Sequence, residues 1–188
     1  MRRLIPLGAM ALALSTISAA AELVPLPSFN AVDLRGGGEV HVVPAPTQSV
    51  AIVQGSDAIT RIYVDRDGSL KIDTCRERCP SAYHLSVEVR SPEVLPLAVD
   101  GGGVINVAGG FAPQRHLATL VNGGGRIDAR AVSAADVSAA INGGGELLVH
   151  ADMRLSGAVR GGGVVRYWGN PRMKSSAIEG GGSIRPGD

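Results

Sequence analysis

Three consecutive glycines occur six times in this chain, beginning at positions 36, 101, 123, 143, 161 and 180. Glycine packs nothing and loses the most backbone entropy on folding, so a triplet inside a strand is costly in isolation. Each triplet is nevertheless embedded in strand-like sequence. The segments are LRGGGEVHV from Leu34, VDGGGVINV from Val99, VNGGGRIDA from Val121, INGGGELLV from Ile141, VRGGGVVRY from Val159 and IEGGGSIRP from Ile178. Eighteen of the 26 glycines lie in these triplets, so glycine content reports a repeat and not general flexibility. Successive gaps of 65, 22, 20, 18 and 19 residues define an array with a period near 20, preceded by a gap about three periods long. Such periods indicate stacked supersecondary units.

Glycine is not at every third position, which excludes collagen. The units also lack the leucine and asparagine spacing of leucine-rich repeats and contain no helical stretch. Twenty residues without a helix accommodate two or three short strands joined by tight turns, one coil of a parallel β-solenoid. Alternation assigns Val121, Gly123, Gly125, Ile127 and Ala129 to the inner face and Asn122, Gly124, Arg126 and Asp128 to the outer one. The same parity places Leu34, Val99, Ile141, Val159, Ile178 and Tyr167 inside. A strand running straight through each triplet is the favoured geometry, against a bend with positive φ at its centre. Stacked coils about 4.8 Å apart would then align the middle glycines, among them Gly124, Gly144 and Gly162, into a strip bare of side chains.

Residues 1–21 read as a secretory signal peptide: Arg2 and Arg3, an apolar run from Leu4 to Leu14, then small residues ending Ala19-Ala20-Ala21. The run is too short to span a bilayer and no comparable stretch follows, so no integral membrane segment is expected after its removal. Without Arg2 and Arg3 the chain carries 16 basic and 17 acidic residues, a net charge of −1. That balance gives no basic face for nucleic acid. Residues 22–188 are one domain's worth of chain. Cys75 and Cys79 are the only cysteines; in an exported chain an even count reads as a disulfide. A metal clip would need two more ligands, and only His84 is near.

Residues 29–98 read as an N-terminal elaboration and 99–186 as the regular coils. RIYVDRDGSLKID carries a hairpin signal at Asp67-Gly68, and YHLSVEVRSP alternates until Pro92. Partly antiparallel strands here would cap the solenoid, whose open end is otherwise an unpaired edge.

The outer ladders show no catalytic set. Residues before the triplets are Arg35, Asp100, Asn122, Asn142, Arg160 and Glu179, and those after are Glu39, Val104, Arg126, Glu146, Val164 and Ser183. Asp100 is expected beside Asn122, and Glu146 beside Arg126 and Val164, not paired with a second carboxyl as glycoside hydrolysis requires. His41, His84, His116 and His150 have no metal or base spacing, and no serine lies in a nucleophile elbow. No cofactor is called for. Trp168 has outward parity, and an exposed tryptophan can stack on a sugar or anchor a protein contact; the alternative is that it packs under the Gly169-Asn170-Pro171 turn.

The stretches FNAVDLRGGGEVHV, PEVLPLAVDGGGVINVAG, the NGGGELLV form and VVRYWGNPRMKSSAIEGGGSI together resemble the head GIN domain of autotransporter-type adhesins, from about Phe29 to Arg185. The resemblance implies an all-β, right-handed β-helix-like head in an exported protein, periplasmic or secreted, and carries no catalytic residues. The expected function is a non-enzymatic binding or adhesion module toward envelope glycan or protein, with Trp168, Gly124, Gly144 and Gly162 as candidate contact positions. A self-associating structural envelope protein and a carbohydrate-active enzyme are the alternatives.

Overall fold

The computed structural model describes residues 21–75, 80 and 82–188. The signal sequence, apart from Ala21, and Cys79 lie outside the described residues; Cys75 is described and is not a free thiol. Among the described residues the chain is all-β, with no helix. In chain order the strands are β1 (Glu22–Val24), β2 (Ala31–Gly36), β3 (Glu39–Pro44), β4 (Ser49–Gln54), β5 (Arg61–Val64), β6 (Ser69–Asp73), β7 (Ser86–Ser91), β8 (Leu97–Gly101), β9 (Val104–Val107), β10 (Gln114–Gly123), β11 (Arg126–Gly143), β12 (Glu146–Arg160), β13 (Val164–Trp168), β14 (Met173–Glu179) and β15 (Ser183–Pro186). They form one sheet of mixed orientation.

Two parallel series run through that sheet. In the first, β6, β2, β8, β10, the second half of β11, the second half of β12 and β14 pair in succession. In the second, β7, β3, β9, the start of β11, the start of β12, β13 and β15 do the same. Equivalent residues of successive repeats are partners: Val99, Val121, Ile141 and Val159 are in register, as are Ile105, Ile127, Leu147 and Val165. These apolar ladders are buried and face a single core. Aliphatic side chains fill it, with Phe29 and Tyr167 as its buried aromatics, as a thin core between two strand layers demands.

The 65-residue first gap is closed by register. Gly36 pairs with Gly101 as directly as Gly123 pairs with Gly143, while β6 and β7 stack on the far sides of β2 and β3. The antiparallel part is β4 with β7, β1 with β4, and the β5–β6 hairpin. That hairpin turns at the expected Asp67-Gly68, where Gly68 has φ +83°.

The straight strand through the triplet is corrected by the structure. Gly36, Gly101, Gly123, Gly143, Gly161 and Gly180, the first of each triplet, have φ between +96° and +131°. The strand ends there, the chain turns a corner from the first series to the second, and pairing resumes one residue past the triplet. Gly123 is therefore exposed instead of facing the core, while Gly125 is buried. Close stacking reinforces the requirement: a Cβ on Gly123 would lie 2.7 Å from the Gly101 carbonyl oxygen, and one on Gly125 2.5 Å from Val99 Cγ1. Gly124 meets nothing within 4 Å. Its amide donates to the Gly101 carbonyl at 3.0 Å, and Gly144 repeats this on Gly123 at 2.9 Å.

Ile178 departs from its inward assignment. It continues the buried ladder beyond Val159 but sits on β14, whose one partner strand among the described residues is β12, and is 46% exposed. All of β14 is exposed.

Candidate functional site

The outer surface of the first series carries the most developed site. Alternation puts Asp33, Ala98, Leu120, Ala140 and Ala158 on this face, and register aligns them into one ladder that begins at Lys71 on β6. Beside it Ala118, Ser138 and Ser156 form a second ladder, and Ala31 pairs with Ser69 at the β2–β6 end. Such small side chains leave a depression of about 480 Å³ over a mainly alanine floor.

A charged pair stands at one end. Lys71 Nζ donates to Asp33 Oδ2 at 2.8 Å and Arg35 Nε donates to the same oxygen at 3.1 Å. The Asp33 and Lys71 side chains are 9% and 11% exposed. The hydrogen bond to Asp33 holds the Lys71 ammonium above the ordinary lysine range, against the opposing effect of burial. Asp33 Oδ1 is buried and accepts no hydrogen bond. An unsatisfied buried carboxylate oxygen is costly, so it marks a place where a donor is wanted.

A polar ladder borders the floor. Its order is Arg61, Asp73, Arg35, Asp100, Asn122, Asn142, Arg160 and Glu179, each in register with the next. Asn142 Nδ2 donates to Asn122 Oδ1 at 2.9 Å, and Asn122 Nδ2 donates to Asp100 Oδ1 at 2.6 Å. The expected amide stacking and the Asp100–Asn122 neighbour relation are thus present. On the opposite face Glu146 lies between Arg126 and Val164, again as expected, and accepts from Arg126. These carboxylates act as acceptors for their neighbours.

The sequence-based candidates do not converge on one place. Gly124, Gly144 and Gly162 are exposed at successive corners with open space above them. Trp168 lies elsewhere, half-buried on β13: its indole Nε1 donates to the Asp188 carbonyl at 3.1 Å, Arg130 stacks over its ring at 5.2 Å, and Gly187 packs directly on it. Gly187 and Asp188 thus cover the indole. His41, His116 and His150 each lie beside a carboxylate, at 3.4, 3.6 and 3.5 Å. No group of three potential metal ligands forms among the described residues.

Asp33 and Lys71 were not recognisable as a site in the sequence. Each interrupts an apolar strand, in NAVDLRGGG and SLKID, at an outward position. That parity was the available signal, but their meeting across 38 residues depends on the pairing of β2 with β6.

A search of curated proteins finds no match. Among solved structures, a putative adhesin from Bacteroides fragilis is similar at 18% identity and TM-score 0.54, covering 89% of this chain and 96% of that one; this likeness bears on the fold alone. A putative adhesin from Parabacteroides distasonis aligns at 15% identity and TM-score 0.44, covering 89% and 96%. Residues 97–171 match the family model for the putative auto-transporter adhesin head GIN domain, so over that segment the chain is similar to the family whose resemblance was read from the sequence.

Proposed function

We propose that the protein is an exported, non-enzymatic binding module of the adhesin type, built as a parallel β-solenoid, with its main contact surface on the outer face of the first strand series. One observation carries this reading: an apolar depression of about 480 Å³ lies on an outward sheet face, beside a buried carboxylate oxygen that lacks a donor. A pocket with an apolar floor and a few placed polar groups is the usual form of a binding site. The adhesin family match supports the function class and export. The bare corners at Gly124, Gly144 and Gly162 offer a second place where a partner's backbone could approach, whereas Trp168 would first have to shed Gly187 and Asp188.

Co-sedimentation with isolated cell envelopes tests the proposal. Wild-type protein is expected in the pellet, and Ala140→Arg, which fills the depression from an outward position, is expected in the supernatant with unchanged thermal stability. Equal pelleting of both would remove the assignment of the surface. The unpaired edge of β14, with Met173 and Ile178 about half exposed, favours a second reading, self-association through strand addition. Sedimentation velocity over a range of concentrations decides it.

A further inference from the structure

We infer that the depression binds an extended, uncharged β-1,4-linked pyranose chain lying along the stacking axis, its hydroxyl or acetamido donors completing Asp33 Oδ1. The inference rests on the binding-module reading and specifies the ligand.

The first argument is the unpartnered oxygen. Asp33 lines the depression, its side chain is 9% exposed, and Oδ1 has no donor. Lys71 Nζ is hydrogen-bonded to the other oxygen and retains further donor capacity, because an ammonium has three donors. Acceptor and donor side by side suit a hydroxyl, which gives one hydrogen bond and receives another.

Charge gives the second argument. Asp33 and Asp100 are offset locally by Lys71 and Arg35, which share the same end of the surface. An anionic headgroup would meet the two carboxylates and a cation the two basic groups, so a neutral polar ligand fits better than either.

Shape and period supply the third. The depression spans six strands from β6 to β12, about 24 Å at the usual strand spacing, with the charged pair on β6 and β2 and the apolar floor of Ala98, Leu120, Ala140 and Ala158 on the other four. Its polar borders recur once per strand: Asn122 and Asn142 on one side, Ser138 and Ser156 on the other. A flat polymer with apolar ring faces, polar edges and a unit length close to one strand spacing matches that repeat. An alkyl chain would satisfy the floor but leave both borders unused.

Calorimetric titration of the purified protein with cellohexaose, chitohexaose and the corresponding disaccharides tests the inference. At least one hexaose is expected to bind, at least tenfold more tightly than its disaccharide. Ala140→Arg and Asp33→Ala should each weaken that binding tenfold or more, the first variant guarding against misfolding of the second. Preference for chitohexaose would assign the donor to an acetamido N–H, and equal binding to a hydroxyl. Hexaose binding unaffected by Ala140→Arg would overturn the location. If neither hexaose binds while the protein still pellets with envelopes, the ligand class is wrong and the binding module survives; loss of both removes the two together.

Discussion

Alanine substitution at the three positions of one triplet should produce three different outcomes. At Gly123, φ is +118° and a Cβ would sit 2.7 Å from the Gly101 carbonyl oxygen. An L-residue in the left-handed region costs about 1–2 kcal/mol, and the contact is with backbone of a stacked repeat, which cannot rotate away. Overpacking of a rigid neighbour costs about 1–3 kcal/mol more, so a total near 3 kcal/mol is expected. Gly125 has no positive φ but meets Val99 Cγ1 at 2.5 Å and the Gly103 oxygen at 2.7 Å, giving about 2 kcal/mol from overpacking alone. Gly124 has open space and no positive φ, so Gly124→Ala should fall within about 0.5 kcal/mol of wild type. For a domain of this size 1 kcal/mol moves Tm by about 2–4 °C. Thermal melts should therefore show losses of about 6–12 °C for Gly123→Ala and about 4–8 °C for Gly125→Ala, with Gly124→Ala nearly unchanged. A middle-position variant as damaging as Gly123→Ala would refute the corner geometry.

Further outcomes follow from the charged pair, the core and the termini. Lys71→Met breaks a buried pair and should cost about 3 kcal/mol in urea denaturation, since truncating one partner leaves a buried charge; a loss below about 1 kcal/mol would mean Arg35 suffices. Because the Lys71 pKa is raised on folding, its contribution is fully present below the ordinary lysine value of about 10.4. That contribution is lost as pH rises through the higher folded value, so the wild-type alkaline decline should exceed that of Lys71→Met. Ile141→Ala should cost about 2–5 kcal/mol and Ile178→Ala less than about 1 kcal/mol, because register equivalents differ in cover; equal losses would place a further layer over β14. Non-reducing mass spectrometry of exported protein should find a chain starting near Glu22 with Cys75 and Cys79 joined, and alkylatable thiols in folded protein would refute the bond.

The sequence made the repeat legible because stacking forces equivalent residues to be alike: a side chain in one ladder is the packing environment of its neighbours. Val99, Val121, Ile141 and Val159 could thus be placed inward and in register, and Asp100 could be set beside Asn122. The corner was less legible because alternation appears unbroken across a triplet. Val121 and Ile127 are both buried, as a straight strand would also require, and glycine carries no side chain to report the turn between them. The charged pair was hidden for another reason. Asp33 meets Lys71 only if the segment from β4 to β7 is threaded so that β6 pairs with β2, and no local pattern encodes that long-range pairing.

Two of the three glycines in each triplet are required by the chain's own packing, and the difference between them bears on how the protein can vary. The first glycine takes the positive φ, and in the five later triplets the third yields to an aliphatic side chain of the preceding repeat, whereas Gly38 has positive φ itself and lies against Leu85. Both contacts run between repeats, so replacing one corner strains its neighbour and the constraint propagates along the stack. The middle glycines Gly102, Gly124 and Gly144 each donate an amide to the first glycine of the repeat they stack on, but any residue except proline has that amide. Among the described residues nothing lies within 4 Å of where a side chain would start at any of the six middle positions. The middle position is therefore where a side chain can be introduced to probe a partner without disturbing the scaffold. Gly124→Arg should therefore keep the wild-type Tm. If it also abolishes envelope binding while the alanine floor is intact, the corner strip belongs to the contact surface; unchanged binding would confine that surface to the depression beside Asp33.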